Sequence, residues 1–160
     1  MANRPTKAAG NVFCQARLEA SEYNDKLKSR AGAAEELGYS DQSVLARWEL
    51  GTTTPPPEAV VMMADLYKKP ELTNYYCVHM CPIGPECGVQ EVKVEDLDRI
   101  TIQALINLKK AESIQNQLLE IAEDGTINKD EKDEMNSILD TLTKLSNTTE
   151  SLKIWIKKNL

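Results

Sequence analysis

The stretch RAGAAEELGYSDQSVLARWELG, Arg30 to Gly51, constrains the fold more than any other part of the chain. Arg30 to Leu37 is rich in Ala and Glu, which favour helix. Gly38 ends that helix, because glycine just past a helix C-terminus takes the left-handed conformation without a Cβ penalty. Ser40 or Asp41 then caps a second helix over Gln42 to Leu50, and Gly51 closes it. On the second helix Leu45 and Trp48 share one face, while Gln42, Ser43, Ala46 and Arg47 lie largely on the other.

These residues carry a resemblance. Ala34 is a small residue inside the first helix, Leu37-Gly38-Tyr39-Ser40 is the turn, and Leu45, Trp48, Glu49 and Gly51 follow in order. In that pattern the segment resembles the Cro/repressor-like (XRE) helix-turn-helix family, and the similarity continues through Pro57 to Tyr67. It covers less than half of the chain. It departs from the family by one extra residue between the turn glycine and Gly51, and by Arg30, where glutamine is commoner. With Asp41 as cap, Leu45 and Trp48 keep their register; with Ser40 as cap, the reading residues slide by one. The resemblance implies a five-helix lambda-repressor-like domain and a sequence-specific, repressor-like transcriptional regulator of bacterial or prophage type. Its partner would be double-stranded DNA, read in the major groove by the second helix. Gln42, Ser43 and Arg47 would then reach base edges, and Arg17 and Arg30 would contact phosphates. The plainer alternative is a packed helix pair, since small helical domains use such turns too.

Charge qualifies the DNA expectation. The net charge is −6. Residues 1–69 hold nine Lys/Arg and nine Asp/Glu, whereas residues 70–160 hold ten and sixteen. A neutral N-terminal part can still gather cations on one side, and phosphate contacts depend on that local arrangement.

Around the motif, Asn11 caps a helix reaching about Asn24, with Val12, Phe13, Ala16 and Ala20 inward. Thr52 to Pro57 cannot be helical before its last proline. Pro57 opens a further helix that packs through Val60, Val61, Met63, Ala64 and Tyr67. Pro70 ends this domain, giving a DNA-binding domain over 1–72, a linker over 73–92 and a third segment over 93–160. The linker holds Cys77, Cys81 and Cys87 around His79, the only histidine of the chain. C-x3-C-x5-C with a nearby His has enough ligands for tetrahedral zinc, with Cys14 or water as a further donor. The repeated C-x2-C spacing of a zinc site is missing. An iron–sulfur cluster and a redox-sensing thiol pair stay open, beside the reading of Cys77 and Cys81 as small apolar core residues.

Residues 94–160 read as two long helices. Asp96 or Asp98 opens the first, which carries Ile100, Ala104, Leu105, Leu108, Ala111, Leu118 and Ala122 at spacings of three and four. The second, about Lys129 to Lys158, carries Met135, Ile138, Leu142, Leu145, Thr149, Leu152 and Ile156 in an unbroken a/d seam. A short connection makes them an antiparallel hairpin, so the fold class is all-α: a five-helix domain plus a two-helix hairpin. Leu139, Ile154 and Trp155 fall on the outer side and imply a homodimer. Glu120, Ala122, Asp124, Gly125, Ile127 and Glu131 match the first, third, fifth, sixth, eighth and twelfth positions of a calcium loop. Ala122 supplies no oxygen, which favours a plain turn with an Asn128 cap.

No nucleophile–base pair, phosphate-cradling loop or paired-carboxylate motif stands out, so an enzyme is not expected. No apolar run approaches the ~20 residues of a membrane span, and the N-terminus lacks a hydrophobic signal core. No membrane partner and a cytoplasmic location are therefore expected. Besides the DNA-binding regulator, two alternatives stand: a protein–protein adaptor retaining the helix-turn-helix fold, and a metal- or redox-responsive sensor using the cysteines.

Overall fold

Local capping explains where the N-terminal helices begin. Asn11 Oδ1 accepts from the backbone N–H groups of Phe13 and Cys14 and starts α1, Val12–Ala20. Ser29 accepts from Gly32 N and starts α2, Arg30–Glu36. Asp41 Oδ1 accepts from Ser43 N at 2.8 Å and starts α3, Ser43–Glu49. Gln42 holds the cap position of α3 and makes no side-chain cap bond; Asp41, one residue earlier, supplies the side-chain acceptor at the start of the helix. Gly38 and Gly51, at φ 77° and 69°, end α2 and α3 in the left-handed region. Pro57 occupies the first turn of α4, Pro57–Leu66. The computed structural model describes residues 7–93, 95–122, 128, 129 and 131–160, apart from the side chains of Lys7 and Ala122. Among the described residues every regular element is helical, and no helix is long and apolar enough to cross a membrane.

The chain divides into two compact units between Glu91 and Val92. In the first, Phe13, Ala16 and Ala20 of α1 meet Ala33, Ala34, Leu45, Trp48, Val60, Met63 and Tyr67 in one core. Pro70 does not end this unit. The chain re-enters helix as α5, Glu71–His79, and α6, Ile83–Glu86. Leu72 is buried in the same core, with Tyr76 and Met80 packed against it. The segment expected as a linker is therefore mostly part of the first unit. Its apolar residues complete a surface that α1–α4 leave open, a long-range demand that local proline chemistry does not reveal. Val61, expected inward, is 60% exposed. It is adjacent to Val60 in sequence, so the two point about 100° apart and α4 buries only one of them.

The second unit contains α7, Leu97–Ser113, α8, Gln115–Ala122, and α9, Glu131–Asn159. The first expected helix is thus interrupted at Ile114. The calcium-loop positions at 123–127 lie outside the described residues. Asn128 and Glu131 form a reciprocal capping box: Asn128 Oδ1 accepts from Glu131 N, and Glu131 Oε2 accepts from Asn128 N. α9 runs back along its predecessors. Met135 and Ile138 pack with Ile114, Leu118 and Ile121. Farther on, Asn107 of α7 donates to Lys144 O and to Thr148 Oγ1 at 2.7 Å.

This geometry corrects the expected seam. Met135 and Ile138 are inward, but Leu142, Thr149, Leu152 and Ile156 are exposed, as are Leu105 and Leu108 on α7. Ile154, expected outside, is 2% exposed, and Trp155 is half-buried. α9 meets α8 first and α7 afterwards, and its contacting face rotates between the two partners. A single unbroken stripe cannot serve both.

Candidate nucleic-acid interface

α3 is anchored from behind and open in front. Leu45, Trp48 and Glu49 are buried. Trp48 meets Tyr39 edge to face at 5.3 Å, and its carbonyl accepts from Asn11 Nδ2. Gln42, Arg47 and Leu50 are exposed, with Ser43 and Ala46 half-buried beside them. Arg47 Nη1 donates to Ser43 Oγ at 3.0 Å, and that hydroxyl donates to Asp41 Oδ2. The Ser43 hydroxyl and N–H hold the Asp41 carboxyl below the usual carboxylate range. Gln42 and Arg47 are thus exposed, and Ser43 ties Arg47 to the Asp41 carboxylate. Asp41 places a carboxylate at the same edge.

Arg17 does not belong to that surface. It is 4% exposed, with Nε 2.6 Å and Nη2 3.1 Å from the two Glu49 oxygens and Nη1 donating to Leu27 O. All three nitrogens are committed to interior acceptors, so its expected phosphate contact is corrected to a structural role. Arg30 is intermediate: its side chain is 35% exposed and its Nε donates to Glu49 Oε2 at 2.7 Å. Burial pushes the Glu49 carboxyl up, but the hydrogen bonds and charges of Arg17 and Arg30 outweigh it and hold it below the usual range. Glu49 thus fixes the end of α3 to α1 and α2. Nothing local in the motif ending gives Glu49 this role, because both of its partners lie on other helices.

Other basic side chains of this unit are also engaged. Lys26 pairs with Glu36 at 2.6 Å, Lys28 with Asp25, and Lys69 with Glu19. Lys68 lies over the Tyr23 ring. The cation most clearly presented on the α3 surface is Arg47.

The cysteine segment does not assemble as a metal centre. Among the described residues no three His, Cys, Asp or Glu side chains come together to hold an ion. Cys77 and His79 stand two residues apart on α5, a spacing that does not place side chains on one helix face. His79 stacks on Tyr75 and has Nε2 3.4 Å from Glu91 Oε1. Cys81 is half-buried and Cys87 exposed. Cys14 is buried near Arg17, and burial, with the Glu49 charge, pushes its thiol up. Expectations of zinc or an iron–sulfur cluster on Cys77, Cys81, Cys87 and His79 therefore find no preformed site. The α5–α6 turn closes instead on backbone: a Cβ on Gly84 would lie 1.7 Å from Cys77 O.

No family model matches the chain, and neither a curated protein nor a solved structure matches it.

Proposed function

We propose that the chain is a sequence-specific DNA-binding transcriptional regulator of the Cro/repressor-like kind, acting as a homodimer. The observation that carries this reading is the outward face of α3. A short helix is fixed at its far end by Asn11, Arg17 and Arg30, and it presents Gln42, Ser43 and Arg47 away from the core. α2 and α3, two short consecutive helices joined through the positive-φ turn at Gly38, support the helix-turn-helix reading. Gln42 and Arg47 read base edges, Ser43 positions Arg47, and Arg30 meets phosphate beside them. Affinity per unit is modest, because so many cations are spent on internal ion pairs, and two copies on one DNA raise it.

The test is selection of bound sites from a random DNA library. A single enriched, palindromic motif is expected. Arg47→Ala should alter the motif and cost ~1–3 kcal/mol, whereas Arg30→Ala should weaken all sequences alike and reduce the salt slope by about 1. One observation favours a second reading, a protein–protein adaptor on the same scaffold. Residues 1–91 hold nine Lys/Arg against twelve Asp/Glu, and Asp41 sits at the α3 edge. No enrichment of any DNA sequence at low salt would decide for the adaptor.

A further inference from the structure

α7 and α9 each carry two apolar stripes, and their mutual contact buries only one of each. On α7 the inward stripe contains Ile100, Asn107 and Ile114. At 100° per residue, Leu97, Thr101, Leu105 and Leu108 lie about 80–160° around the helix from it. The three leucines are 40%, 62% and 53% exposed. On α9 the part facing α7 runs through the buried Thr148 and Ile154, with Ser151 and Trp155 half-buried beside them. Leu142, Leu152 and Ile156, each more than a third exposed, are displaced from it by a similar angle in the same rotational sense. Because the helices run antiparallel, equal displacements of the same sense bring both stripes to one side of the pair. The result is a two-helix apolar face, with Leu145 half-buried at its centre.

We propose that a second copy of this chain covers this face, related by a two-fold axis that runs along the helices. α7 of one copy then lies antiparallel over α9 of the other. Such an axis preserves height along the helices. Asn107 stands level with Lys144 and Thr148, so Leu97 meets Ile156 of the second copy, Thr101 meets Leu152, and Leu108 meets Leu145. Charge agrees with this pairing. Asp98 borders the stripe on α7 at the height where Lys153 and Lys157 border it on α9. The same operation brings the carboxylate to those ammonium groups, twice per dimer. Area agrees as well. The six exposed Leu and Ile side chains present on the order of 500 Å² per chain, at the upper end of what monomers leave in one patch. Two such faces with their polar rims reach the ~1,200–2,000 Å² of a specific interface. The arrangement is an all-antiparallel four-helix packing.

The interface rests on the homodimer of the proposed function and not on DNA binding, so it is tested without DNA. Sedimentation of the full chain at tens of micromolar should give a dimer. Leu105→Lys and Leu152→Lys should each weaken it at least tenfold, about 1.4 kcal/mol, with unchanged helical circular dichroism. Ile106→Lys, 45% exposed but about 100–180° around α7 from every residue of the stripe, should leave the dissociation constant within about twofold. Asp98→Lys should weaken the dimer, and adding Lys153→Asp and Lys157→Asp should restore it. A monomeric wild-type chain overturns the proposal, as does a dimer that Ile106→Lys dissociates and Leu105→Lys does not. A dimer with this mutational pattern that enriches no DNA sequence refutes the DNA reading and leaves the interface standing.

Discussion

Glu49→Gln tests the anchoring of α3 most directly. The carboxylate is buried, with a side chain 3% exposed, and accepts from two nitrogens of Arg17 and one of Arg30. Gln keeps the shape and one acceptor oxygen but removes the charge, leaving the Arg17 guanidinium buried without a counterion. Removing one partner of a buried ion pair costs about 3–5 kcal/mol. A unit of this size has about 5–14 kcal/mol of stability at ~0.05–0.15 kcal/mol per residue. The loss is therefore a large fraction of the total, and at about 4–8 °C per kcal/mol it lowers Tm by roughly 12–40 °C. Arg17→Met should cost less, because Glu49 keeps Arg30. The double variant Arg17→Met with Glu49→Leu should lose less than the sum of the single effects, since it removes both buried charges together. Thermal unfolding followed by Trp48 fluorescence, in a Trp155→Phe background so that only the first unit reports, measures all of these. Additive losses in the double variant, or a Glu49→Gln protein within about 1 kcal/mol of the parent, would refute the reasoning. The same group sets a pH dependence. Its folded pKa is depressed, so its contribution is complete above the unfolded carboxylate value of about 4.3 and is lost as pH falls through the lower folded value. Acid should release α3 first in the parent, and Glu49→Gln should flatten that limb of the stability curve.

Three further outcomes follow from local geometry. Gly32→Ala would place a Cβ 2.2 Å from Lys26 O, so α2 must shift and the first unit should lose about 1–3 kcal/mol; Gly10→Ala, with nothing within 4 Å, should be near neutral by the same melts. Asp41→Ala removes the acceptor of both the Ser43 N–H and the Ser43 hydroxyl at the start of α3, and should cost about 1 kcal/mol in denaturant unfolding. Protein purified without a histidine tag should carry well under one zinc per chain by elemental analysis, and a chelator should leave the melting of the first unit unchanged; stoichiometric metal lost together with stability would contradict the cysteine geometry.

The features legible in the sequence are those decided within one helical turn. Asn11 and Asn128 as caps, Asp41 as the acceptor at the start of α3, Gly38 and Gly51 as left-handed stops, and Pro57 in a first turn each depend on a backbone group two or three residues away. The outward placement of Gln42, Ser43 and Arg47 was legible for a related reason, since Leu45 and Trp48 on the same short helix leave it one way to face the core. What tertiary structure alone decided lies farther apart. Arg17 reads as a surface cation until Glu49, thirty-two positions away, meets it inside the core. Pro70 reads as an ending until Leu72, Tyr76 and Met80 find the same core from beyond it. On α9 the heptad spacing of Met135 to Ile156 was plain, but spacing says only that a stripe exists, not what covers it. α8 covers its beginning, while α7 draws in Thr148 through Asn107 and leaves Leu142, Leu152 and Ile156 outside. A helix with apolar residues on two faces has two nearly equivalent ways to pack, and which face turns inward depends on a partner helix whose position no local pattern encodes.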